Sequence, residues 1–182
     1  MITREQALEL LKQHVKQENL LKHCYSVEAG MRAYAGKYGE NVETWGLAGL
    51  LHDIDYEEFP NEHPSYRTRE WLSEHDIPEE VIYAIESHGK KEDFPRKSLM
   101  DKALHAVDSI SGIIIAAALV RPTKLEGMKP KSVKKKIKDK RFAAKMDRDR
   151  MALGCEELDV EMSEHLQVMI EALQGISTEL GL

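Results

Sequence analysis

Histidine and aspartate carry the chemically informative part of this chain: eight histidines occur in 182 residues, and several stand in unusual company. His23 falls within a helical pattern, His52-Asp53 follows an almost wholly apolar run, His63 precedes a proline, His88 precedes a glycine, and Asp108 interrupts an otherwise apolar segment. Any one histidine is more often a surface or hydrogen-bonded core residue than a ligand. Asp108 is harder to explain by packing, because Ala106, Val107, Ile110 and Ile113 surround it and a buried carboxylate needs a compensating charge. A cation would compensate it; so would an arginine or lysine partner, or a position on the solvent side of the helix. Neutral imidazole and carboxylate together are ligands for first-row divalent cations, with iron, manganese, cobalt and zinc all suited.

Residues around these positions have weaker readings. His105 lies one helical turn before Asp108 and can orient a ligand from behind. Asp55 and Glu62 adjoin the motifs as possible proton shuttles, although loop carboxylates are usually just solvated. Arg67, four residues after His63, and Lys90 and Lys91, directly after His88-Gly89, are placed to reach a substrate phosphate; ordinary surface charge explains each equally well. His14, His75 and His165 carry no assigned role.

The elements that must position these residues read as helices throughout. Thr3 and Gln6 form a capping box for a first helix, Asn19 is a candidate cap for a second running to about Tyr38, and Gly39 stops it. Asn41 opens a buried third helix ending in His52-Asp53. Pro64 suits the first turn of a helix to about His75, and Pro78 that of a helix closed by Gly89. Ser98 with Asp101 caps a long apolar helix to about Pro122, and a final helix spans about Val160 to Leu180. No segment alternates with a period of two. The fold class is therefore all-α, a single domain over 1–182.

The balance of 42% hydrophobic and 32% charged residues is that of a globular protein, and a net charge of −6 argues against a whole-protein grip on nucleic acid. The stretch Lys129 to Lys145 is locally basic, and a solvated helix face explains it better than a polyanion site. No secretory pattern opens the chain, the longest apolar run, Ile113 to Val120, is too short for a bilayer, and Cys24 and Cys155 lack CxxC spacing. The expectation is a cytoplasmic protein with no membrane partner and reduced thiols.

His23, His52-Asp53 and Asp108, in this order and spacing, resemble the HD-domain superfamily of metal-dependent phosphohydrolases. His63 and His88 resemble the extra ligands of its binuclear branch, which includes hydrolases of dinucleoside polyphosphates. The resemblance covers about Leu20 to Val120, and a C-terminal helical extension, about 123–182, lies beyond it. It implies an HD-type helical bundle with two divalent cations, His23, His52 and Asp108 on one, His63 and His88 on the other, and Asp53 as the catalytic bridge. Such a pair, about 3.5–4 Å apart, acidifies water into a metal-activated hydroxide that attacks a phosphate ester or anhydride. The implied partner is a phosphorylated small molecule, a nucleotide first of all. One departure is Tyr56, where mononuclear HD nucleotidases carry glutamate, which disfavours deoxynucleoside monophosphate chemistry. The competing readings are an HD-like di-iron oxygenase and a nucleic-acid-binding or regulatory module stabilised by metal.

Overall fold

A computed structural model describes residues 1–89 and 94–182, and among them ten helices and no strand. They are α1 (Arg4–His14), α2 (Glu18–Tyr38), α3 (Val42–Leu51), α4 (Tyr66–Ser73), α5 (Glu79–Ser87), α6 (Leu99–Leu119), α7 (Pro130–Lys138), α8 (Arg148–Glu157), α9 (Met162–Gly175) and α10 (Ser177–Leu180). The all-α expectation holds. α6 is the hub: α2, α3, α5, α7, α8 and α9 all pack on it, and Leu104, Val107, Ile110, Ile113 and Ile114 are buried in the core.

α2 and α3 make the most extensive helix pair. Every residue of α3 from Thr44 to Leu51 is buried, as its almost wholly apolar composition requires. Gly49 makes this contact possible, because a Cβ there would stand 2.7 Å from the Glu28 Cα. The adjacent Glu28 carboxylate is buried and held by Arg4 and Arg32, which ties α1 to α2 while Arg32 also reaches Glu43 of α3.

The capping boxes at Thr3/Gln6 and Ser98/Asp101 and the Asn41 cap all form. Three boundaries differ from the sequence expectation, and at a fourth, before Gly89, the helix ends where expected but for another reason. Asn19 lies inside α2, whose approach is fixed instead by the Glu57 carboxylate accepting from the Lys16 and Gln17 amides. Ser65, not Pro64, caps α4, so His63 and Pro64 both precede the helix. Gly89 does not adopt the left-handed conformation of a helix stop; it is small because a Cβ there would come within 2.4 Å of Pro64 Cδ. The expected last helix is α9 plus the short α10, and an unanticipated helix, α8, precedes it. α6 is also long and apolar enough, by length and composition, to cross a membrane, which the uninterrupted run alone did not reveal; 61% of its apolar window is buried inside this fold.

Candidate metal centre

Four helices deliver the centre. His23 comes from α2, His52-Asp53 from the end of α3, His88 from the end of α5 and Asp108 from the middle of α6, while His63 comes from the loop before α4. The structure brings all six together. His23 Nε2 lies 3.1 Å from Asp108 Oδ1, 3.4 Å from Asp53 Oδ2 and 3.1 Å from His52 Nε2. His63 Nε2 lies 2.9 Å from Asp53 Oδ1 and 3.0 Å from His88 Nε2, and His52 and His88 reach the same Asp53 oxygen at 3.4 and 3.7 Å. Asp53 thus turns Oδ2 towards His23 and Oδ1 towards the other three imidazoles.

The outer nitrogens decide what the inner ones can do. His52 Nδ1 faces the Gly49 carbonyl, His88 Nδ1 the Ile85 carbonyl, and His63 Nδ1 the Asp55 carboxylate, all of which only accept. His23 Nδ1 faces Ser111 Oγ, whose own proton goes to the Asp108 carbonyl, so this oxygen accepts too. Each ring therefore places its N–H outward, and in its neutral form each Nε2 lone pair points inward. Two pairs of bare nitrogens about 3 Å apart, beside two buried carboxylates, repel one another unless a proton or a cation lies among them. His23, His52 and Asp108 form one set that fits a metal ion, and His52, Asp53 and His88 form a second.

The acid-base balance agrees. Burial alone would raise the pKa of Asp53 and Asp108, but the surrounding histidines, with Arg150 beside Asp108, hold both well below the usual carboxylate range. Burial opposes charge on His63, yet Asp53 and Asp55 outweigh it and lift its pKa to about 9. His23 is likewise raised by Asp108 and Asp53 against its burial, whereas burial keeps His88 low. Protons and divalent cations compete for the same lone pairs.

Two contributors have roles that the sequence did not assign them. Asp55 is fully buried, accepting from His63 Nδ1 and from the Ser65 amide, so it is neither solvated nor a free shuttle. Arg150, on α8, donates 2.8 Å bonds to Asp108 Oδ2 and to the His88 carbonyl. The arginine partner considered for Asp108 therefore exists alongside the histidines and leaves Oδ1 to the centre. No local pattern marks Arg150, since it reaches Asp108 from 42 residues away.

The remaining candidates lie elsewhere. Arg67 does not line the site: it pairs with Glu70 and lies over the Tyr66 ring on the exposed face of α4. Lys90 and Lys91 lie outside the described residues. His105 turns away from Asp108 and bonds Glu157 at 3.0 Å. Glu62 is exposed, His14 stacks on Trp71, and His165 is buried between Tyr34 and the Ala106 carbonyl. The centre floors an open cavity of about 790 Å³ whose lining includes Tyr56, Asn61, Ser109, Lys145 and Arg150. Lys145 is the one residue of the basic stretch Lys129 to Lys145 in that lining.

Ribonuclease Y from Desulfotalea psychrophila (strain LSv54 / DSM 12343) is 32% identical to the chain over 97 residues, covering 52% of this chain and 18% of that protein. The chain thus spans less than a fifth of the length of this curated relative. No solved structure matches the chain. The HD domain family matches residues 20–152, from the approach to His23 through Arg150 on α8. With that match spanning every residue of the centre, the chain belongs to the HD domain family, the superfamily of metal-dependent phosphohydrolases that its histidines and aspartates resemble.

Proposed function

We propose that this protein hydrolyses a phosphate ester or anhydride, a nucleotide foremost, with two divalent cations held by His23, His52, His63, His88, Asp53 and Asp108. The observation that carries the reading is the convergence of all four imidazole Nε2 atoms, with Asp53 presenting one oxygen towards His23 and the other towards the remaining three. Iron, manganese, cobalt and zinc all suit this mixed imidazole and carboxylate set. Bound cations would supply Lewis acidity towards the phosphoryl oxygens and lower the pKa of water. The chain's own groups do the rest. Asp55 holds His63 in the required tautomer, Ser111 holds His23, and Arg150 fixes Asp108 while standing at the cavity wall with its positive charge. Lys145 adds positive charge at the same cavity, where an anionic phosphate would enter. Tyr56 packs edge-on against His63 where the mononuclear nucleotidases use glutamate, which favours other phosphate esters over deoxynucleoside monophosphates. A cytoplasmic setting, in which the unpaired Cys24 and Cys155 stay reduced, belongs to the proposal.

The test is a screen of nucleoside mono-, di- and triphosphates, dinucleoside polyphosphates and sugar phosphates against the protein loaded in turn with iron, manganese, cobalt and zinc. Metal-dependent phosphate release that Asp53→Ala abolishes is expected. Metal-loaded protein that releases no phosphate from any of them, and instead consumes oxygen with iron, would replace this reading with a di-iron oxygenase.

A further inference from the structure

A second cavity, of about 820 Å³, adjoins the metal centre and shares Gly89, Asp147 and Arg150 with it as common lining. Arg150 is therefore the partition: it bonds Asp108 and the His88 carbonyl on the metal side and lines the neighbouring space on the other. Resting on the phosphohydrolase reading, we infer that this second cavity receives the non-phosphate part of the substrate, a flat heteroaromatic ring bearing an N–H donor, while its phosphate lies at the metals.

Three features select that chemistry. Phe94, Pro95 and Leu153 supply apolar surface, with Leu153 41% exposed at the cavity wall. His105 supplies a directed acceptor. Its side chain is 3% exposed and lines the cavity, and its Nδ1 must donate to Glu157, a carboxylate further held by two bonds from Arg96. Burial, with Arg96 and Arg150 nearby, pushes its pKa down to about 4, so the ring is neutral, Nδ1 is committed to Glu157, and Nε2 is left as the acceptor on the cavity side among the described residues. The described lining also carries Arg96 and Arg150 beside Asp147, Asp149 and Glu157, a mixed set of charges and not a basic patch among the described residues. A neutral ring with a hydrogen-bond donor satisfies the apolar surface and the His105 acceptor together.

The experiment uses a ring without phosphate, which separates this cavity from the metal chemistry. Adenosine binding to the manganese-loaded full chain is measured by calorimetry, beside purine riboside, which lacks the exocyclic amino group. Adenosine should bind at least about tenfold more tightly than purine riboside, the scale of one directed hydrogen bond to the His105 acceptor. Leu153→Trp, which fills the cavity from its exposed wall, should weaken adenosine binding at least about tenfold with an unchanged melting temperature. His105→Gln serves as a second variant acting on the acceptor and should reduce the preference for the amino group. Adenosine binding that fails to appear, or that both variants leave untouched, overturns the inference even if phosphate esters are hydrolysed. Binding lost in Leu153→Trp while no phosphate ester is turned over supports the ring cavity and sinks the phosphohydrolase reading instead.

Discussion

Asp55 shows how a residue outside the six shapes them. Its two oxygens are both committed, one to His63 Nδ1 and one to the Ser65 amide. An asparagine there can accept through only one oxygen, so either His63 loses the partner that sets its tautomer or the Ser65 amide is left facing another donor. Partners of this kind are worth about 10- to 100-fold in metal affinity. Asp55→Asn should therefore lower the affinity of the cation beside His63 and His88 by that factor and leave the cation beside His23 nearly unaffected. Competition titration with a chromophoric chelator resolves the two steps, and equal weakening of both would contradict this role. In the sequence Asp55 resembled an ordinary loop carboxylate, because its burial depends on how the turn after α3 folds back under His63. The six centre residues were legible because each broke an otherwise regular local pattern.

Among the helices, those whose caps lie within three residues in sequence were the readable ones: Thr3 with Gln6, Asn41 with Thr44, Ser98 with Asp101. α8 was not readable. Its segment buries only Met151, Gly154 and Cys155, too few apolar positions to show a periodic face. What holds α8 in place is a close approach to α6: a Cβ on Gly154 would stand 2.8 Å from Ala106 Cα and 3.3 Å from Ser109 Oγ. Arg150 lies one turn earlier on the same helix face, so the approach that Gly154 allows also delivers the guanidinium to Asp108. Gly154→Val should push α8 off α6 at a cost of about 1–3 kcal/mol, typical of overpacking. It should also weaken metal binding as Arg150 withdraws. Thermal denaturation and a metal titration on the same variant check both, and a destabilised variant with unaltered metal affinity would separate Arg150 from the centre.

Across the whole molecule, the buried histidines outside the centre set the acid limit. Burial pushes the pKa of both His105 and His165 from 6.5 down to about 4. Between those values the unfolded chain binds protons that the folded chain refuses, so stability falls as pH drops from about 6.5 to 4. At 1.36 kcal/mol per pKa unit this amounts to roughly 3 kcal/mol for each residue. His63, raised to about 9, contributes stability that is already complete below 6.5, and the depressed Asp53 and Asp108 lose theirs only below their unfolded value of 3.8, so neither cancels this slope. The metal-free protein should melt progressively lower from pH 6.5 to 4, and His165→Gln should flatten that decline. A melting temperature that stays level across the window would show that these rings are protonated in the fold.

The inward lone pairs bear on the whole account, and the count of cations they hold is its most direct test. Anaerobically purified protein, saturated with manganese and freed of excess by gel filtration, should retain two equivalents per chain by elemental analysis, and Asp53→Ala should retain none, because Asp53 faces both sets. At most one equivalent in the wild-type chain, or two in Asp53→Ala, would contradict the paired centre.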